Sequence, residues 1–414
     1  MLDLVIINGL VVTQNENRDI KQANIGINKG KIEYIGEEIL RSKKIIDAKD
    51  YVILPAFLNG HIHFGEYYLR GYKNSLTTEK YILLGEKFYN TFKDINEEIR
   101  NSSIKNVLLE SIQNGTLTVL GVRGWPIVQE FPVNAYLGYP LMNSNKLDNY
   151  KIDFKKRFYL LEKSSNVEYF LGLHSVKWIE ENTLKDISTF FKENKQIKLS
   201  LHISETFEEV QFIKNKYGIT PVQLLDRYNL LNERTLLVHC NYLDDNDIEL
   251  IKQKNVSVAI CHNSNLKLQN KPCDVKKLLN NGINVLVATD GPATNDSLSL
   301  LDSLKTTALL TNLDSTTLLD MITVNPAKYM EINSGSIIEG NKADLIMYNI
   351  NSLNMTYMQS IIENLIYTSG NKPEIVIKDG NVIIENYLFK NKIEYDIIQE
   401  KKRIIELIEN KKSN

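Results

Sequence analysis

The sequence predicts an α/β fold, a (β/α)8 TIM-type barrel carrying a small composite β-sandwich domain built from its two flanks. Three observations predict it. Eight short, almost uninterrupted apolar runs recur through the middle of the 414-residue chain. Amphipathic helical stretches alternate with them. Both ends have a strand-rich texture that lacks this alternation. Near-continuous hydrophobic strands separated by helices indicate a parallel sheet covered on both faces. Eight such units close into a barrel, whose site lies at the C-terminal ends of its strands.

In chain order, residues 1–50 alternate as small antiparallel strands over Leu4–Thr13, Ala23–Asn28, Lys31–Gly36 and Lys44–Asp47. The barrel runs are Tyr51–Leu58, Thr116–Val122, Asn134–Met142, Glu168–Ser175, Lys198–Ser204, Thr235–Cys240, Val256–Cys261 and Asn284–Thr289. Helical patterns fall on Glu97–Asn114, Glu180–Glu193, Thr206–Tyr217, Asp244–Lys254 and Val275–Asn281, with Ser297–Thr311 after the eighth strand. From Gly335 to about Phe389 the texture of the N-terminal flank returns. Residues 1–50 and 332–390 are therefore expected to form one β-domain, and 51–331 the barrel. Residues 391–414 read as a charged helix docked on the surface, with Ile397, Ile398, Ile404, Ile405 and Ile408 on one stripe.

Composition excludes several classes. A formal charge of −2 supplies no basic field for nucleic acid. No run is long enough to span a membrane. The apolar N-terminus has no basic n-region and reads as a hairpin around Asn8-Gly9. Three cysteines do not suggest a disulfide framework, and Cys240 and Cys261 end buried-looking strands, where packing is their expected role. The expectation is a cytoplasmic protein acting on a small molecule. A homo-oligomer is compatible with the sequence.

The chemistry is carried by histidine. All six histidines lie where a predicted strand runs out, and two form His61-Ile62-His63. Residues i and i+2 of a strand face the same way, so two imidazoles can approach one ion. A zinc site needs about four donors, and a catalytic one keeps a position open. His202 ends the fifth run, with Glu205 three residues on; His239 ends the sixth and Asp290 the eighth. Taken singly, each has an ordinary reading: Glu205 as a first-turn helix residue, His239 as a satisfied core residue, Asp290 as a turn residue. Their joint occurrence at the strand ends of one barrel is what points to a site.

These residues resemble the amidohydrolase superfamily, in the mononuclear deaminase and chlorohydrolase branch that holds S-adenosylhomocysteine/methylthioadenosine, guanine and cytosine deaminases. Leu54-Pro-Ala-Phe-Leu-Asn-Gly-His61-Ile-His63-Phe is similar to that branch's opening metal motif, followed by Leu69-Arg-Gly71. His202-x-x-Glu205, Val238-His239-Cys240, Ser264-Asn265-Leu-Lys-Leu, Thr289-Asp290-Gly291, Asn325-Pro-Ala and Gly340-Asn-Lys-Ala-Asp344-Leu follow in the family's order. The resemblance implies one divalent metal, Zn²⁺ first and Fe²⁺ or Mn²⁺ as alternatives, held by His61, His63, His202 and Asp290. It implies that Asp290 takes the proton of the attacking water, that His239 holds the resulting hydroxide, and that Glu205 carries protons to a ring nitrogen and to the leaving group. The implied reaction is hydrolytic release of ammonia from an aminated purine, pyrimidine, pterin or related nucleoside, hydrolysis of a C–N bond that is not a peptide bond. Alternatives at the same site are displacement of chloride, opening of a cyclic amide, or a non-catalytic scaffold.

Some positions depart from the family pattern. His174 matches a substrate-contacting histidine, with a structural hydrogen bond as its other reading. Arg123 and Trp125 end the second strand, where small or acidic residues are usual. They are candidates to pair with and stack on a planar anionic group, against packing under a loop. His262 stands where many relatives have proline and is expected, with Asn265, behind the ligands. The stretch Lys73–Tyr81 lacks the tryptophan and acidic pair with which relatives hold a ribose, and Lys177 falls beyond the strand where two-metal relatives place a bridging lysine.

Overall fold

A computed structural model describes residues 1–72, 76–122, 127–141, 166–355 and 360–413. The expected positions of Arg123 and Trp125 lie outside the described residues.

The barrel strands are β6 (Phe57–His63), β7 (Thr116–Val122), β8 (Asn134–Leu141), β9 (Val167–Ser175), β10 (Leu199–Ile203), β11 (Thr235–His239), β12 (Ser257–Ile260) and β13 (Val285–Val287). They pair in parallel in chain order from β6 to β13. Alternate residues divide two cores, as a strand period of two demands. Leu199, Leu201 and Ile203 pack outward under the helices. Leu58, Leu120, Phe170, Leu236 and Leu286 fill the interior. On β10 this leaves Ser200 and His202 facing inward.

The run Tyr51–Leu58, read as the first barrel strand, is two strands with a change of sheet at Ala56. Tyr51–Pro55 (β5) belongs to the outer sheet, and the barrel's first strand begins at Phe57 and ends on His63. Both halves are apolar because β5 is covered on both faces. Val52 and Leu54 join the barrel core and Ile53 the core of the small domain. Hydrophobicity alone therefore runs through the boundary. The pairing of β6 with β7 shifts register between Asn59 and Ile62. That bulge reverses the parity set by Leu58 and turns His61 and His63 to the interior.

The flanks do meet in one small domain. Nine strands form a single mixed sheet in which β1 (Leu4–Val12) pairs antiparallel with β2 (Ile20–Asn28), and β2 with β3 (Lys31–Gly36). Along its other edge β1 meets first β4 (Ile45–Asp47) and then β5. β5 leads to β14 (Leu345–Asn349), β15 (Ile375–Lys378), β16 (Asn381–Glu385) and β17 (Leu388–Phe389). The two ends of the chain join where β14 pairs antiparallel with β5. Asn8-Gly9, read as a hairpin turn, is an irregularity inside β1: Asn8 has φ 62° and the register shifts between Ile6 and Gly9. Gly9 lets the strands approach closely there: a Cβ would press on the Ile53 side chain of the neighbouring strand.

Helices match the sequence pattern to within a residue or so over Asn96–Gln113, Glu181–Glu193, Phe207–Tyr217, Asp245–Gln253 and Val275–Asn280. The helix expected from Ser297 starts at Leu300. Of the helices that were not anticipated, one bears on the site. Thr78–Thr91 (α1) begins inside the stretch read as a loop, capped by the Thr77 side chain accepting from the Lys80 N–H. The C-terminal helix, Ile393–Ser413, buries Ile397, Ile404 and Ile408, while Ile398 and Ile405 stay exposed. Its buried face is thus narrower than the expected stripe. Ile404 and Ile408 pack with Leu69, Phe88 and Phe92, so this helix braces α1 against the barrel. Among the described residues, no helix is long and apolar enough to cross a membrane.

Candidate metal centre

Four strand ends bring the predicted residues together. The Nε2 atoms of His61, His63 and His202 converge: His202 stands 3.1 Å from His61 and 3.2 Å from His63. Donors sharing one ion at about 2.0–2.1 Å lie roughly 3.0–3.4 Å apart, so this spacing fits a single ion. Asp290 Oδ1 completes the set, 3.5 Å from His61 Nε2 and 3.3 Å from His63 Nε2. Its other oxygen is engaged, accepting from Ser264 Oγ at 2.5 Å and Thr294 Oγ1 at 3.0 Å. Three imidazoles and a carboxylate suit Zn²⁺, and such N/O sets also take Fe²⁺ or Mn²⁺.

The backbone shapes this convergence. The seam between β6 and β13 is closed by Asp290 N–H donating to His61 O at 3.1 Å and by Asn59 Nδ2 donating to Thr289 Oγ1 at 2.7 Å. Two of the proposed ligands are thus tied through their main chain. Asp290 and His239 both leave their strands with positive φ, 61° and 75°. Such conformations cost about 1–3 kcal/mol each in a non-glycine residue, and they re-aim side chains at functional sites.

Electrostatics show a cluster poised for added positive charge. Burial lowers His61 to about 4, against the pull of Asp290. Burial, with four other imidazoles adding to it, takes His202 well below its ordinary value. Both rings are therefore neutral at pH 7, the form that binds metal. Burial pushes the Asp290 carboxyl up, but the contact with His61 and the charges of His63 and His239 outweigh it and hold Asp290 well below the usual range. His61 Nδ1 and His202 Nδ1 have no hydrogen-bond partner among the described residues.

Glu205 and His239 stand beside the cluster, with Glu205 Oε2 4.0 Å from His239 Nε2. A chain of amides holds both. Asn241 Nδ2 donates to Glu205 O, Asn265 Nδ2 donates to Asn241 Oδ1, and Asn265 Oδ1 then accepts from His239 Nδ1 at 2.9 Å. That sequence of donors places the His239 proton on Nδ1 and leaves Nε2 facing the site. Glu205 Oε1 accepts from Thr78 Oγ1 at 3.2 Å, and Asn270 Nδ2 donates to that same hydroxyl at 2.9 Å. Burial raises Glu205 above its ordinary value; His239 opposes this and Asp290 adds to it.

Asn265, expected behind the ligands, hydrogen-bonds His239 and Asn241. His262 does not reach the ligands: its ring lies against Thr307 Oγ1 at 3.1 Å and Cys273 O at 3.4 Å. Helix His262–Lys267 turns that residue outward, and Ser264 is the member of the segment that touches Asp290. His174 stacks edge-on to His202 with ring centroids 5.0 Å apart. Lys177 lies over the Trp178 ring, 3.9 Å from Glu79. Sequence reasoning missed Thr78, Asn241 and Ser264. Short polar residues are too common to signal a role, although Ser264 lay inside a recognised motif. It also missed Glu66, whose spacing of three from His63 was a readable signal.

The comparisons agree with this geometry. The model of the amidohydrolase family matches residues 52–383. A 5-methylthioadenosine/S-adenosylhomocysteine deaminase of Thermococcus sibiricus is 31% identical over 407 residues, covering 92% of this chain and 94% of that one. Among solved structures, an adenosine deaminase from Xanthomonas campestris with bound zinc superposes with a TM-score of 0.87 at 21% identity, covering 97% of this chain and 98% of that one. A zinc complex of atrazine chlorohydrolase from Arthrobacter aurescens superposes with a TM-score of 0.88 at 19% identity, covering 96% and 99%. With its barrel, its composite sheet and its three-histidine cluster on the barrel rim, the chain belongs to the amidohydrolase family.

Proposed function

We propose that this protein is a metal-dependent hydrolytic deaminase that releases ammonia from an aminated nitrogen heterocycle. The observation that carries the reading is the meeting of three imidazole Nε2 atoms and Asp290 beside a largely buried Glu205. His61, His63, His202 and Asp290 would hold one divalent ion, zinc being the first choice. A bound Zn²⁺ lowers the pKa of its water towards about 7 and so supplies a nucleophile at neutral pH.

The chain's own groups do the rest. The Asp290 carboxylate would accept the water's proton; its Oδ1 faces the three imidazoles, and its Oδ2 is oriented by the Ser264 and Thr294 hydroxyls. His239 Nε2 orients that water towards the ring carbon. Attack places negative charge on the adjacent ring nitrogen. Glu205, kept protonated more readily by burial, would give that nitrogen its proton, and would then carry the proton of the newly formed hydroxyl to the departing amine as the carbonyl forms. His174 is assigned to the substrate side of His202. The names of the similar curated proteins favour a 5′-modified adenine nucleoside among the candidate heterocycles. The buried, free cysteines Cys240, Cys261 and Cys273 are in keeping with the cytoplasmic setting we assign to it.

The test is an ammonia-release screen of zinc-quantified protein against 5′-methylthioadenosine, S-adenosylhomocysteine, adenosine, guanine, cytosine and aminopterins. Ammonia is expected from at least one, with loss of turnover in Glu205→Gln and retention of metal. Release of chloride from a chlorinated heterocycle without any ammonia from this panel would replace deamination by dehalogenation.

A further inference from the structure

We propose that Glu66 is a positioning residue for the metal, acting through His63 to tighten the hold on the ion. His63 ends β6, and its ring spans two environments. Nε2 faces His202 Nε2 at 3.2 Å and Asp290 Oδ1 at 3.3 Å, where the ion belongs. Nδ1, on the far side, stands 3.4 Å from Glu66 Oε1. A metal-binding imidazole gains basicity and a fixed orientation when its other nitrogen gives its proton to a carboxylate. The Nδ1 atoms of the other two histidines have no hydrogen-bond partner among the described residues. His63 is thus the member of the triad with a carboxylate behind it.

Two further features hold Glu66 in this place. Tyr81, from the first turn of α1, donates its hydroxyl to Glu66 Oε2 at 2.7 Å. Gly291, next to the ligand Asp290, leaves room for the same oxygen: a Cβ there would stand 2.2 Å from it. The carboxylate is fixed at one oxygen by Tyr81 and presents the other to His63. With Asp290, Glu66 places a second carboxylate beside the three imidazoles. The arrangement also links α1 to the metal, since Tyr81 reaches Glu66 from the helix that brings Thr78 to Glu205.

The inference rests on the metal reading of the site, so the wild-type chain is titrated first. Zinc dissociation constants are measured by competition with a chromophoric chelator for wild type, Glu66→Gln and Tyr81→Phe, with the unfolding midpoint of each metal-free protein recorded alongside. One zinc per wild-type chain is expected. Glu66→Gln is expected to weaken zinc binding by about 10–100-fold with the metal-free midpoint unchanged. Tyr81→Phe, which removes one hydroxyl, is expected to weaken it several-fold. Wild-type zinc affinity in a folded Glu66→Gln overturns the inference and leaves the metal site standing. If Glu66→Gln does not fold, Tyr81→Phe decides: weakened zinc binding supports the inference and unchanged binding overturns it. A wild-type chain that binds no zinc overturns both.

Discussion

Two of the buried polar clusters among the described residues differ in how far their polar atoms satisfy one another. Where the small sheet meets the barrel, Asp344 is buried with every oxygen engaged. Its Oδ1 accepts from Lys378 Nζ at 3.2 Å and from the Asp379 N–H at 2.8 Å, and Oδ2 accepts from Asn134 Nδ2 at 3.1 Å. Asn134 Oδ1 in turn accepts from Lys342 Nζ at 3.0 Å. At the other end of the barrel, three imidazole nitrogens and a carboxylate oxygen crowd one point, two Nδ1 atoms have no partner among the described residues, and two residues hold positive φ. A polar cluster that satisfies itself specifies structure. One that directs several donors at the same point is incomplete without something placed there, and perturbed groups in such an arrangement mark function.

That contrast can be broken most forcefully at the rim. Removing the ion with a chelator, or replacing His202 by Ala, should abolish turnover and drop the metal content measured by mass spectrometry, while the metal-free fold persists. Next in size is Glu205→Gln, expected to cost about 10²–10⁴-fold in kcat with metal content unchanged. The junction cluster should answer in the opposite way. Lys378→Met leaves Asp344 buried and unpaired, and should cost about 3–5 kcal/mol in urea unfolding without changing zinc affinity. Asp344→Leu with Lys378→Met should recover most of that loss.

Smaller effects sharpen the picture around Glu205. Thr78→Val removes the hydroxyl that anchors Oε1 and should lower kcat about 10-fold, with Thr78→Ser restoring it. Glu209 is a second carboxylate here, accepting from Ser175 Oγ and from the Glu205 N–H. Burial raises it from 4.5 to about 7, with those two hydrogen bonds opposing. The folded state therefore keeps a proton that the unfolded chain has released between these values. Its contribution to stability is fully present below pH 4.5 and is lost as pH rises through about 7. Glu209→Gln should flatten that part of the stability–pH profile, read from urea midpoints at several pH values.

The barrel, the composite sheet and the histidine pair of the cluster were legible for a common reason: each leaves a periodic or paired mark. Apolar runs mark strands, and His61-Ile62-His63 marks a shared face. The exchange of sheets at Ala56 was hidden because β5 and β6 are both covered on two sides. The capped start of α1 was hidden because the Thr77 cap is a contact and not a period. His262 shows the converse: placed like the other histidines at a strand end, it is turned by a short helix to Thr307. Thr78 and Asn270 act through partners distant in the chain, which a single sequence does not pair.

The most direct test of the rim cluster as a deaminating metal site is turnover of 5′-methylthioadenosine and the rest of the heterocycle panel in ¹⁸O-labelled water by protein carrying one zinc per chain. The account predicts one ammonia per product, with the label at the carbon that lost its amine, and no turnover after zinc removal. Full turnover by the zinc-free protein, or no ammonia from any member of the panel, would contradict it.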